Sequence, residues 1–306
     1  MNSTTLSFRI QPQGPFDLSE QRQRFGGWPA HPNEPLAPVI AFPIEGTDTA
    51  AAVVVRQHDD GTILGDVHCC APWLCAAAQG QALATLSLDV DGSGWPEVGS
   101  CDPRLGELQA RYRMLRPVLF HSPYEAAAAF IIGHRISIPQ ARAIREWIAI
   151  AHGARVEVDG HSFHTFPAPS ALLAITDLDG VPSIKLARLH AVAWAAKDGW
   201  LSREHLLGMP VADALRCLQE LPGIGPFFAQ GILFRGAGLV DELTDDDVTR
   251  YALAVRYSLP EPAAPSAVQA ITDSWRPYRM WAVVLLHTWL RSEIGLPPRT
   301  ASGRSH

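Results

Sequence analysis

Leu218-Gln219-Glu220-Leu221-Pro222-Gly223-Ile224-Gly225-Pro226-Phe227-Phe228-Ala229-Gln230-Gly231-Ile232 reads as the end of one helix, a tight Gly-x-Gly turn and the start of another. Two glycines two positions apart permit positive φ and leave no side chain in the way of an approaching ligand. The residues after them open a helix, whose free N–H groups and positive dipole end favour an anion. Small Ala229, one turn in, lets the two helices pack closely. Such a turn grips a phosphate backbone without reading base sequence, with Leu221, Gly223, Ile224 and Gly225 as its contacts. An ordinary corner between two helices has the same local form, so the surrounding chain has to decide.

Outward from the turn the period is helical. Helices are predicted over 170–175, 182–197, 211–220, 226–236, 246–257 and 277–293. Further back, Ser122-Pro123-Tyr124-Glu125 is a capping box with proline at the first helical position, opening an apolar helix through Ile132. Ser137-Ile138-Pro139-Gln140 repeats the signal and opens a helix over 140–152. Before about Cys101 the period is two, at Leu6-Ser7-Phe8-Arg9-Ile10 and around Ala52-Val53-Val54-Val55-Arg56-Gln57. Turn signals stand at Asp59-Asp60-Gly61 and Asp91-Gly92-Ser93-Gly94, and one helix is expected over 71–83. The fold expected is α+β: an N-terminal antiparallel sheet domain over 1–103, an all-α body over 104–295 carrying the helix-hairpin-helix, and a tail over 296–306.

Bulk properties set outer limits. The 306 residues suffice for two compact domains, and 47% hydrophobic with 18% charged is a globular composition. No apolar run reaches the roughly 18 residues of a membrane span, and the first residues lack the pattern of a secretory signal. Five cysteines without CxxC spacing read as free thiols in a reducing cytoplasm. The net charge of −6 argues weakly against nucleic acid. A backbone-directed turn that needs few lysines softens that objection.

Leu221-Pro222-Gly223-Ile224-Gly225 followed by a helix resembles the helix-hairpin-helix of the DNA glycosylase superfamily, which includes endonuclease III, the adenine and 8-oxoguanine glycosylases and 3-methyladenine DNA glycosylase II. Phe120-His121-Ser122-Pro123-Tyr124-Glu125, Gly133-His134-Arg135-Ile136-Ser137, Phe166-Pro167-Ala168-Pro169, Trp275-Arg276-Pro277-Tyr278-Arg279 and Leu286-His287-Thr288-Trp289 resemble the alkyladenine branch in the same order. The resemblance implies a base-excision repair glycosylase. It would hydrolyse the N-glycosidic bond of alkylated purines (3-methyladenine or 7-methylguanine type) in double-stranded DNA, working as a monomer. Another damaged or mismatched base on the same scaffold, and a catalytically silent lesion-binding relative, stay open beside it. No cofactor is expected. The iron–sulfur cluster of endonuclease III has no counterpart, since no cysteine follows Cys217, while a monovalent cation at the Leu221 and Gly223 carbonyls is a candidate from the relatives.

Breaking an N-glycosidic bond leaves an electron-poor sugar that a carboxylate stabilises. Asp245-Asp246-Asp247 stands before a predicted helix, where the family keeps its essential aspartate. Counted from Asp245, Val248, Tyr251, Ala252 and Val255 make a buried stripe with Asp245 near the N-cap, and its 18-residue distance from Phe227 fits the endonuclease III-like branch. A gapless match to the alkyladenine branch selects Asp247 instead. Asp245 is therefore the first candidate, Asp247 the alternate and Asp246 the third. Where lyase relatives carry a Schiff-base lysine, this chain has Phe227, so simple hydrolysis is expected. Phe227 and Trp289 stand where the alkyladenine branch keeps the aromatic rings of its base pocket. Trp281 and Tyr278 are candidate neighbours there, with core packing the competing reading for all four. The resemblance implies a wedge at Arg135, filling the gap of a flipped base, but relatives commonly have leucine or glutamine there and that departure leaves the role of Arg135 open. A backbone contact by His134 is the alternative, and Lys185, Arg188, Arg276 and Arg279 are candidates for a basic rim.

Overall fold

The computed structural model describes residues 4–244, 246–260 and 262–295. Among the described residues there are two compact units interleaved along the chain: Met1–Gln13, Asp17–Gly92 and Val118–Leu239 in the first, Gly14–Phe16, Ser93–Pro117 and Val240–His306 in the second. The boundary expected at 103 falls inside the second unit, and the tail expected over 296–306 lies outside the described residues.

The first unit opens with β1 (Thr4–Ile10), α1 (Leu18–Phe25), β2 (Ala30–His31), β3 (Glu34–Pro43), β4 (Ala50–Gln57) and β5 (Ile63–Cys69). The strands form one antiparallel sheet in the order β1-β5-β4-β3-β2. Asp60 in the expected turn accepts from Thr62 N at 2.9 Å and closes β4 onto β5. β4 departs from a half-buried alternation, because Ala50 to Val55 are buried on both faces. α2 (Cys75–Thr85) packs on β4 and β5. An unexpected hairpin, β6 (Arg155–Val158) and β7 (His161–His164), adds Val156, Val158 and Phe163 to an apolar cluster with Val39, Ala52 and Val54. Six consecutive small or β-branched apolar residues fit a strand covered on both sides.

After α2 the chain leaves for the second unit with α3 (Trp95–Cys101) and α4 (Pro103–Arg111), then returns to build the helical part of the first. α5 (Pro123–Gly133) starts where expected: Ser122 Oγ accepts from Glu125 N at 3.2 Å and Pro123 takes the first helical position. It is apolar nearly all round and correspondingly buried, packed by α6 (Ile138–His152), α8 (Ser183–Lys197) and the segment after the hairpin. α6 carries the full reciprocal capping box of Ser137 and Gln140. α7 (Pro169–Leu173) precedes α8; α9 (Arg203–Leu207) and α10 (Val211–Gln219) lead to the hairpin and α11 (Pro226–Gly231), which continues as a wider π turn over Ile232–Gly236.

The second unit gathers α3 and α4 with α12 (Asp247–Tyr257), α13 (Pro265–Asp273) and α14 (Arg279–Trp289). Its core holds Trp95, Trp275 and Trp281. Asp102 ties three elements together. It caps α4 through Arg104 N and Leu105 N, and its other oxygen accepts from Tyr257 Oη at 2.5 Å and Trp275 Nε1 at 2.8 Å. α13 lies where no helix is predicted, and Pro265 opens it at the start of the first turn.

Candidate functional site

The Gly-x-Gly turn is built as a backbone feature. Ile224 N donates to Leu221 O at 3.0 Å, and the Leu221 and Ile224 side chains are buried beneath it. Only the first glycine needs its freedom: Gly223 has φ +86°, whereas Gly225 has φ −91° and ψ −178°, extended backbone open to any residue. The expectation that both glycines take positive φ is thus corrected. A Cβ on Gly223 would lie 2.6 to 3.1 Å from the Arg188 side chain, so that arginine lies flat against the turn. A Cβ on Gly225 would meet nothing within 4 Å. Ala229 is buried where α11 meets α10. Phe227, the lysine position of lyase relatives, is 59% exposed.

The loop between α5 and α6 lies in the same unit. Arg135 has φ +62°, a left-handed conformation that costs a non-glycine residue about 1–2 kcal/mol, and its side chain is exposed. Lys185 of α8 holds the loop by donating Nζ hydrogens to Ile132 O at 2.7 Å and His134 O at 2.9 Å, carbonyls that the end of α5 leaves unpaired. The His134 ring stands edge-on to Phe228, which stacks on Phe130 with centroids 5.1 Å apart. Burial and then the charges of Arg135, Lys185 and Arg188 hold His134 below its ordinary value, so it is neutral at pH 7.

The carboxylates belong to the second unit. Asp245 lies outside the described residues. The N-cap of α12 is Asp246, one residue later than expected: its carboxylate accepts from Thr249 N and from Thr249 Oγ1, both at 2.9 Å. Thr249 Oγ1 also meets Thr244 Oγ1 at 2.7 Å and His287 Nε2 at 3.0 Å. A hydroxyl has one proton, so with that proton on Asp246 the Thr249 oxygen accepts from Thr244 and from a protonated His287 Nε2. Burial would raise the Asp246 pKa, but the Thr249 backbone bond, the His287 charge and the hydroxyl bonds outweigh it and hold the carboxyl below its ordinary value. The buried stripe moves with the cap. It is Thr249, Ala252 and Leu253, while Val255 of the expected stripe is exposed. Asp247, next along, has an 85% exposed side chain and pairs with Arg250 at 2.9 Å.

The aromatic candidates divide. Trp281, 1% exposed, and Tyr278 pack against Trp95 and against each other with centroids 5.0 to 5.8 Å apart, so they are core residues of the second unit. Arg116 is stacked over Trp281 at 5.1 Å. Trp289 is nearly buried, and the Arg256 guanidinium lies 5.5 Å from its ring centre. One face of that indole already holds a cation. Of the basic rim, Arg276 and Arg279 are both paired to Asp241, at 2.7 and 2.8 Å. Among the described residues no group of three or more His, Cys, Asp or Glu side chains could hold a metal ion.

No protein-family model matches the chain. It is 24% identical over 207 residues to a DNA-3-methyladenine glycosylase of Bacillus subtilis (strain 168), covering 66% of this chain and 68% of the relative. It is 28% identical over 198 residues to DNA-3-methyladenine glycosylase 2 of Escherichia coli (strain K12), covering 62% of this chain and 66% of that protein. The chain is a relative of the DNA-3-methyladenine glycosylases. Among solved structures it is similar to a 3-methyladenine DNA glycosylase from Archaeoglobus fulgidus, with a TM-score of 0.75 at 21% identity, covering 93% of this chain and 98% of that one. At that identity the likeness shows the glycosylase fold, and it extends over both interleaved units.

Proposed function

We propose that this chain is a DNA glycosylase that removes alkylated purines of the 3-methyladenine type, with Asp247 as the carboxylate that faces the sugar. The relatives' shared name supports the reaction class. The observation that carries the residue assignment is the contrast at the start of α12: Asp246 is committed to Thr249, whereas the Asp247 side chain is 85% exposed in the first helical turn. A stabilising carboxylate must reach the electron-poor sugar carbon. A committed cap cannot do so without releasing its helix. The gapless alignment to the alkyladenine branch selects the same residue. In the reaction the bond from the sugar carbon to the purine nitrogen breaks and its electron pair leaves with the base. Asp247 stabilises the positive sugar, a water oxygen adds to that carbon, and the water proton is released. Duplex DNA is the partner, gripped at the hairpin by a protein acting as a monomer in the cytoplasm. The expected monovalent cation would sit at the Leu221 and Gly223 carbonyls. Leu221 O already accepts from Ile224 N, which leaves one lone pair for an ion.

The test is release of free base from methylated duplex DNA by the wild-type protein and by Asp245→Asn, Asp246→Asn and Asp247→Asn. Asp247→Asn should lower the single-turnover rate about 10²–10³-fold and leave the melting temperature unchanged. Full activity in Asp247→Asn with loss in Asp245→Asn would move the role to Asp245. A folded wild-type protein that binds such DNA but releases no base would make the chain a silent lesion binder.

A further inference from the structure

The chain carries a net charge of −6, and many of its described arginines are answered by carboxylates: Arg56 by Glu34 and Asp66, Arg203 by Asp89, Arg256 by Glu107, Arg279 by Asp241. In the first unit, Arg135 and Arg188 are among those that are not. Lys185 and Arg188 stand three residues apart on α8, the spacing that puts two side chains on one helix face. Lys185 reaches the α5–α6 loop through Ile132 O and His134 O, while Arg188 lies against Gly223 of the hairpin. Arg135 projects from the same loop in its left-handed conformation. Among the described residues neither Arg188 nor Arg135 has a carboxylate within ion-pair distance, and Arg135, Lys185 and Arg188 all bear on His134. Like charges kept together without counter-charge raise the folding free energy unless an anion arrives. Two of the three Lys185 protons are used by carbonyls, so that cation braces the loop. The Arg188 guanidinium is partly exposed and flat on a glycine, and among the described residues no protein acceptor bonds to it.

We propose that Arg188, seated on Gly223, and Arg135 form a phosphate-binding strip beside the hairpin that grips the backbone of a DNA strand through side-chain charge, in addition to the backbone contacts of the turn. The inference rests on the reading of the chain as a DNA-acting enzyme and names residues that reading does not need. Gly223 has a second purpose here: a side chain at 223 would lift the guanidinium off the turn. The strip carries no base information, so damaged and undamaged duplexes share it.

Titrating a labelled undamaged duplex at several salt concentrations tests the strip. Each phosphate neutralised contributes roughly 0.9 to the slope of log K against log salt. Arg188→Gln and Arg135→Gln should each lower the slope by about that much. Between 50 and 200 mM salt, each variant should then lose about threefold less affinity than the wild-type protein does. Arg188→Lys should restore most of the slope, and Arg155→Gln, a surface arginine paired to Glu157, should leave it unchanged. Unchanged slopes in both glutamine variants overturn the proposal, as does a loss in Arg188→Lys equal to that in Arg188→Gln. A wild-type protein that binds no duplex even at low salt would instead sink the DNA-acting reading itself.

Discussion

Asp246 and Asp247 are neighbours with opposite employment, and a pair of measurements separates them. Asp246→Ala removes the cap of α12 and takes away the carboxylate that accepts from the Thr249 N–H and hydroxyl. Chemical denaturation should show a loss of about 1–2 kcal/mol, with Asp247→Ala near neutral. The pH dependence has a definite sign. A carboxyl held below its ordinary value of 3.8 contributes its full stability above that value and loses it as the pH falls through the lowered one. The wild-type advantage over Asp246→Ala should therefore be flat near neutrality and shrink in strong acid, and an advantage that instead grows in acid would contradict the cap. The acidic run and the helix are legible in the sequence, but the cap lies one residue later than the apolar period suggests, because the buried face includes the polar Thr249. Its burial comes from hydroxyl bonds to residues 5 and 38 positions away, which no helical period can display. The available signal for His287 is its place in Leu286-His287-Thr288-Trp289, two residues before the candidate Trp289.

At the level of elements, the two glycines of the turn should behave differently. Gly223→Ala puts a Cβ into left-handed backbone and into the Arg188 side chain, costing about 1–2 kcal/mol and weakening duplex binding. Gly225→Ala enters extended backbone with open space around it and should fold as the wild-type protein does. Equal destabilisation of the two would mean that turn conformation is not what selects glycine at 223. The caps made α5 and α6 legible to within a residue or two, since serine at the cap and proline at the start act locally. What sequence could not show was coverage. β4 read as half-buried because the hairpin β6–β7 that shields its other face arrives about a hundred residues later.

For the whole molecule, the sequence contains two lysines, Lys185 and Lys197. The first donates to two carbonyls and the second lies 5.7 Å from the centre of the Trp194 ring. A Schiff-base lyase needs an unprotonated amine facing the sugar, so a lesion-bearing strand should break only after hot alkali, and borohydride should trap no adduct. Breaks in untreated samples with a trapped adduct that disappears in Lys185→Arg would identify Lys185 as an overlooked nucleophile. The α+β class was legible from the change of period near residue 100, but the compact units were not. Period reports local structure, and the helices from 118 to 239 share a unit with the sheet that precedes them.

That interleaving has a temporal side. Synthesis runs from the N-terminus, so α3 and α4 emerge carrying Trp95, Leu105 and Leu108, all destined for burial, well before α12 and α14 exist. The first unit has all its residues once Leu239 is clear of the ribosome, while the second waits for the rest of the chain. A stalled nascent chain ending after Leu239 should show a protease-resistant first unit with cleavage concentrated around 93–117. The fold thus sets an order of birth in which the segment bearing the α12 aspartates is the last to be housed.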